Sequence, residues 1–222
     1  LTFTPANWKV MQTVTVTGVD DFIADGDAAY TVMTSAAVSA DANYAGLDPA
    51  DVAIINRDDD TIQVVVTPTA GLLTAESGTT DTFTVVLGTI PTADVTIGLS
   101  TSNPLEGILS VDTLTFTPAN WNTPQTVTVI GVDDDWDDGD VAYTIVTSPA
   151  SSADADYDGL DVADVAVTNL DDDTAGITVI PTSGLTTTEA GGTATFTVVL
   201  DSEPTANVTI GLTSSDVTEG AV

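Results

Sequence analysis

The sequence contains neither cysteine nor histidine. Without cysteine there is no disulfide framework and no thiolate metal site. Without histidine the commonest general base and the usual zinc and copper ligand are missing. Basic residues are nearly absent: Lys9 and Arg57 stand against 34 Asp and Glu, a formal charge of -32 over 222 residues. That balance excludes simple binding to nucleic acid or to an anionic membrane, because both need Lys or Arg to neutralise phosphate. No apolar run approaches membrane-spanning length, so no membrane insertion is expected. Aromatics make up only 5% against a 42% apolar share, so any core must be built from Val, Leu, Ile and Ala.

What is abundant is oxygen: carboxylates, hydroxyls and carbonyls. So many carboxylates repel one another in a compact state. The sequence supplies almost no cationic side chain to offset them, so the counter-charge must come from solution. Oxygen-only ligand sets suit calcium and magnesium.

The chain repeats itself. Leu1-Thr2-Phe3-Thr4-Pro5-Ala6-Asn7-Trp8 recurs from Leu114 to Trp121, an offset of 113 residues. Asp58-Asp59-Asp60 recurs as Asp171-Asp172-Asp173, and Phe83-Thr84-Val85-Val86-Leu87 as Phe196-Thr197-Val198-Val199-Leu200, at the same offset and without a gap. A period of this length is one domain of ordinary size. Placing the boundary after the aspartate triplet gives the C-terminal half of one repeat at 1–60, a complete repeat at 61–173 and the N-terminal half of the next at 174–222.

Within 61–173 the segments are short, rich in β-branched residues and partly alternating, with Gly, Pro, Asn and Asp clusters between them. Strands are expected near 62–67, 82–88, 93–100, 113–117, 125–131, 141–147 and 162–169. About seven short strands without a helical period predict an all-β fold: tandem immunoglobulin-like antiparallel β-sandwiches. If consecutive strands run antiparallel, the first, third and fifth connections lie at one end of the sandwich, with the end of the last strand. The acids follow that parity. Glu76 lies in the first connection and Glu106 in the third. Asp133, Asp134, Asp135, Asp137, Asp138 and Asp140 lie in or beside the fifth, and Asp171, Asp172 and Asp173 follow the last strand. Two bare charges about 4 Å apart repel by about 1 kcal/mol even in water. A cluster this dense calls for calcium, which takes six to eight oxygens in flexible geometry; the alternative is a solvated acidic rim suited to a saline habitat.

Glu76 with Gly78, the stretch Leu114 to Pro118, Val132-Asp133-Asp134-Asp135 and the closing Asp171-Asp172-Asp173-Thr174 resemble the Calx-β domain. That family occurs in the regulatory region of sodium–calcium exchangers, in an integrin and in many giant bacterial surface proteins. The resemblance spans the whole period. It implies calcium (Ca2+) held by Glu76, Asp133, Asp134, the carbonyl of Trp136, Asp138, Asp171, Asp172 and Asp173. In the first copy the matching positions are Asp20, Asp21, Ile23, Asp25, Asp58, Asp59 and Asp60, and Glu189 is the matching glutamate of the third, partial repeat. The sequence departs from the family where an Asp-Gly-Thr-Ala motif is typical: Asn103-Pro104-Leu105-Glu106 and Asp216-Val217-Thr218-Glu219 stand there. The first copy also has Phe22 and Ala24 where Asp135 and Asp137 stand.

Other features have plainer readings. Asp154-Ala155-Asp156-Tyr157-Asp158-Gly159 has the spacing of a calcium loop, but Val165 stands where the bidentate Glu is required, and turns favour Asp and Gly anyway. Trp8 and Trp121 could stack on sugars, though a packing role is expected. Paired aspartates suggest a glycosidase only if two carboxyls flank a substrate cleft, which loop acids at the end of a sandwich do not. The expectation is therefore a non-enzymatic, calcium-binding stalk of a large secreted adhesin or extracellular fibre at a bacterial cell surface. Its partners would be adjacent repeats of the same polypeptide or head-to-tail copies, with a surface glycan or protein met by a tip outside this stretch. A self-associating filament or surface layer, and a carbohydrate- or protein-binding module, are the alternatives. Val222 is equivalent to Leu109 and Leu1 to Leu114, so the two flanking halves together lack only the counterparts of Ser110, Val111, Asp112 and Thr113.

Overall fold

In a computed structural model covering residues 1–222, the chain consists of β-strands, turns and irregular connections, without helix. It forms two compact units, Leu1–Gln63 with Gly88–Ile90, and Val64–Leu87 with Pro91–Val222. The first unit has one antiparallel pair, β1 (Ala28–Val32) with β2 (Val52–Asn56), in the register Ala28↔Asn56 to Val32↔Val52.

The second unit contains a β-sandwich. Its strands are β3 (Val64–Thr67), β4 (Leu72–Ala75), β5 (Thr80–Leu87), β6 (Val95–Thr101), β7 (Gly107–Leu109), β8 (Thr113–Phe116), β9 (Gln125–Gly131), β10 (Val141–Thr147), β11 (Ser151–Ser152) and β12 (Val165–Leu170). A further pair, β13 (Ile177–Ile180) with β14 (Thr197–Leu200), follows it. One sheet has the order β3-β5-β9-β7. The other runs β11-β6-β10-β12-β4, with β8 also on β6.

The core follows from strand periodicity. Successive side chains point to opposite faces, and Phe83, Val85 and Leu87 of β5 alternate inward with Ile97 and Leu99 of β6, Val127 and Val129 of β9, and Val165 and Val167 of β12. Apart from Phe83, Phe116, Trp121, Tyr143 and Tyr157, the buried apolar residues are aliphatic, as the composition requires. Trp121 is 8% exposed, which makes it a packing residue in the complete repeat. Trp8 is 62% exposed and carries the Lys9 ammonium 4.8 Å above its ring.

Ten strands stand where about seven were expected. The additions are short: β4, β7 and β11. Pro68 has no N–H to donate, so the ladder that β3 makes with β5 stops at Thr67↔Thr84. After the turn at Gly71 (φ +83°) the chain resumes as β4 on the other sheet. There β4 pairs with β12 in parallel, Val167↔Leu72 to Leu170↔Ala75. This is the one parallel ladder in otherwise antiparallel sheets. Strand directions then follow from the pairings. β4, β6, β9 and β12 all end at the same pole, and β7 begins there.

Candidate metal centre

The pole is built on Asn169. Along β12 the inward face reads Val165, Val167, Asn169, so a polar side chain, 1% exposed, takes the last core position. It is fully satisfied. Its amide donates to the Val132 carbonyl (3.1 Å) and to Glu106 Oε2 (3.3 Å), and its oxygen accepts from Thr74 Oγ1 (2.9 Å). A buried polar group held this way fixes the loops it touches. Here those are the connection after β9 and the connection before β7. Gly131 makes room for it: a Cβ there would lie 2.5 Å from both Asn169 Oδ1 and the Ala75 carbonyl.

The parallel ladder sets Glu76. Because Ala75 lies opposite Leu170, the Glu76 N–H donates to the Leu170 carbonyl (3.1 Å), which places Glu76 at the start of the aspartate triplet. The Asp172 N–H donates back to Glu76 Oε2 (3.4 Å). The triplet is tied to the fifth connection: Gly139 N–H donates to Asp171 Oδ2 (2.7 Å), and Asp171 N–H to Asp140 Oδ1 (3.3 Å). Asp173 N–H donates to Asp171 Oδ1 (2.8 Å), and Trp136 N–H to Asp134 Oδ1 (2.8 Å).

These bonds bring carboxylate oxygens of Glu76, Asp171 and Asp173 within 4.8 Å of one another, with Glu76 only 4% exposed. Burial pushes Glu76 up to about 7 from an ordinary 4.5, and the charges of Asp134, Asp171 and Asp138 add to the rise against the Asp172 hydrogen bond. Glu106 is buried beside it and raised by that burial, with the Asn169 amide opposing and Asp138, Asp134 and Asp171 reinforcing. Asp173 is raised as well, by desolvation and by Asp135, Asp171, Asp172 and Asp133. The charges acting on these three groups thus come from the fifth connection and from the triplet. Asp172 offers its backbone N–H to the cluster while its side chain faces solvent. Trp136 is 43% exposed and lines a cavity of about 610 Å3 with Ile177, Leu200, Pro204 and Val208.

The first copy repeats the scaffold. Gly26 N–H donates to Asp58 Oδ2 (2.6 Å), Asp60 N–H to Asp58 Oδ1 (2.9 Å), Ile23 N–H to Asp21 Oδ1 (2.9 Å) and the Asn56 amide to the Val19 carbonyl (3.0 Å). Each matches a bond of the second copy 113 residues on. Asp20, Asp21, Asp25, Asp58, Asp59 and Asp60 line one cavity of about 230 Å3. Asp60 is raised by desolvation and by Asp58, Asp59, Asp20 and Asp21. One cation intrudes: Arg57 pairs with Asp27 at 3.1 Å, both largely exposed. Glu189 is exposed on the turn closed between Thr188 and Gly192 and is not gathered with other acids.

Two residues of the pole escaped the ligand set read from sequence. Glu106 was placed at this end but not among the ligands, although it recurs as Glu219. Asn169 was not singled out, although it recurs as Asn56 on an otherwise apolar face. At the opposite pole, Asp154 is consumed by the backbone. Burial would raise it, yet hydrogen bonds from the Thr92 N–H (2.6 Å) and Asp156 N–H (3.1 Å) hold it below the usual carboxylate range. That is an Asp-capped turn.

No protein-family model and no curated protein matches the chain. Solved structures with a similar fold include the apo form of the Calx CBD1 domain, at 23% identity and a TM-score of 0.40, covering 50% of this chain and 98% of that one. CBD12 from CALX1.2 matches at 20% identity and 0.40, covering 50% of this chain and 45% of that one. The periplasmic chaperone SfaE matches at 11% identity and 0.39, covering 50% and 58%. In each case the matched half of this chain has about the length of one repeat.

Proposed function

We propose that this chain is a calcium-loaded stretch of a repetitive structural stalk, of the kind that carries an adhesin tip or forms an extracellular fibre. The observation that carries the reading is the gathering of Glu76, Asp171 and Asp173 oxygens within 4.8 Å of one another, in a repeat that has no Lys or Arg. At an effective dielectric of about 20, each pair of charges 4 Å apart repels by about 4 kcal/mol. The donor set is oxygen only and comes from flexible connections, which fits calcium. Glu76, Asp134, Asp138, Asp171 and Asp173 would hold the ion, with Asp133, Asp172 and the Trp136 carbonyl beside them. Its contribution would be charge neutralisation and the cross-linking of four chain segments.

The same loop also reaches the following repeat. The Ile90 N–H donates to the Phe22 carbonyl (3.0 Å), and the Glu203 N–H to the Asp135 carbonyl (2.6 Å), at positions 113 residues apart. Ala175 N–H donates to Asp137 Oδ2 (2.7 Å). A cation that orders this connection therefore orders the joint as well, which supports a stiff stalk. Low cytosolic and high external calcium would couple folding to export, since ion binding adds directly to folding free energy. The test is a thermal melt of the 222-residue chain in calcium and in chelator. Calcium at about 100 times its dissociation constant adds roughly 2.7 kcal/mol per site. Coincident melts would leave the acids as a solvated rim.

A further inference from the structure

The ladders of the complete repeat fall into two classes. β3–β5 joins strands of its front part and β10–β12 joins strands of its back part. All the others cross between front and back: β5–β9, β7–β9, β6–β8, β6–β10, β6–β11 and β4–β12. In the flanking halves the first class is present in the same register. Ile177↔Leu200 of β13–β14 matches Val64↔Leu87, and Ala28↔Asn56 of β1–β2 matches Val141↔Asn169. The crossing class is not formed. Residues 12–18 and 208–214 have nearly the sequences of β9 and β6, yet they form no ladder. Their apolar faces are bare. Phe3 and Val14 are 55% and 59% exposed, where Phe116 and Val127 are fully buried. Phe196 and Ile210 are 41% and 43% exposed, where Phe83 and Ile97 are buried.

We propose that residues 174–222 of one copy of this chain and residues 1–60 of a second copy fold onto each other into a sandwich like that of 64–170. The complete repeat supplies the register. Phe83↔Val127 and Val85↔Gln125 translate to Phe196 of one copy opposite Val14 of the next, and Val198 opposite Gln12. Open strand edges and exposed apolar faces both favour such pairing. Each copy offers one front half and one back half, so the contact is head to tail and does not close on itself, the condition for a filament. The joined halves would set Glu189 beside Asp58 and Asp60, as Glu76 lies beside Asp171 and Asp173. The pairing is driven by apolar burial and main-chain bonding, so it stands independently of the calcium reading.

The absence of native cysteine gives a direct test. Thr82↔Thr128 translates to Thr195 opposite Thr15, and antiparallel partners lie about 4.5–5.5 Å apart, within disulfide reach. A Thr15→Cys/Thr195→Cys chain, oxidised mildly in chelator at about 0.5 M salt to screen its charge, is expected to give a ladder of covalent multimers. A Thr13→Cys/Thr195→Cys chain, two residues out of register, is expected to give at least tenfold less. Sedimentation of the unmodified chain should show assembly that grows with concentration, and Val14→Asp should abolish it while leaving the melt of the complete repeat in place. A monomer at all concentrations, disulfides closing within single chains, or equal ladders from both cysteine pairs would each overturn the proposal. Because the assay runs without calcium, failure of calcium to bind leaves its outcome unchanged.

Discussion

Replacing Glu76 by Gln should have opposite effects on stability with and without calcium. The rise of its folded-state value from 4.5 to about 7 corresponds to about 3 kcal/mol against the ionised form at about 1.4 kcal/mol per pH unit. Water on the open side of the pole screens part of this, leaving about 1–2 kcal/mol. The sign follows from the folded value lying above the unfolded one. The group's contribution is complete below about pH 4.5 and is lost as pH rises through about 7. At pH 8 in chelator the wild type therefore carries the whole penalty. Gln is isosteric and still accepts the Asp172 N–H, so Glu76→Gln should melt about 4–8 °C higher than wild type there. Near pH 5 the two should converge. In calcium the order inverts, because Gln supplies no charge to the ion and forfeits much of the roughly 2.7 kcal/mol gained at about 100 times the dissociation constant. Calorimetry of the full chain under these conditions decides it. Melts that move in the same direction with and without calcium would refute the assignment of Glu76 as a ligand.

Asp171→Ala with Asp173→Ala should lower calcium affinity and broaden the small-angle scattering distance distribution in calcium, while the sandwich still melts cooperatively; an unchanged maximum dimension would contradict the stiffened joint. Asp154→Ala should destabilise the repeat by about 1–3 kcal/mol through the stranded Thr92 and Asp156 N–H groups, and leave the calcium-induced rise in melting temperature intact. A lost rise would place an ion at the opposite pole instead. Gly131→Ala should destabilise by about 1–3 kcal/mol, since the new Cβ meets the Ala75 backbone and the Asn169 amide that organise the pole; circular dichroism melts in chelator would detect it.

The sequence made the periodicity, the sandwich and the pole legible for the same reason: strand alternation and parity are local rules, and the acids sit where an odd-numbered connection must end. β4 was not legible. Leu72-Leu73-Thr74-Ala75 does not alternate, and its register comes from β12, almost a hundred residues later. Yet β4 is the element that delivers Glu76 to the triplet, so the ligand could be named from sequence while the strand that places it could not. Asn169 was hidden differently. A polar residue at the end of an apolar face reads as the point where the strand leaves the core. Its three partners, Thr74, Glu106 and Val132, come from three other segments of the fold.

The parallel ladder between β4 and β12 also governs how a repeat meets mechanical tension. The chain enters through β3 and β4 and leaves through β12, and those strands end at the same pole. Pulling the two ends apart drags β4 and β12 past each other along their common axis. The bonds from Val167↔Leu72 to Leu170↔Ala75 are then strained together in shear and cannot be peeled apart one by one. Resistance to pulling is set by the unfolding rate, so a repeat of modest equilibrium stability can still yield slowly under force.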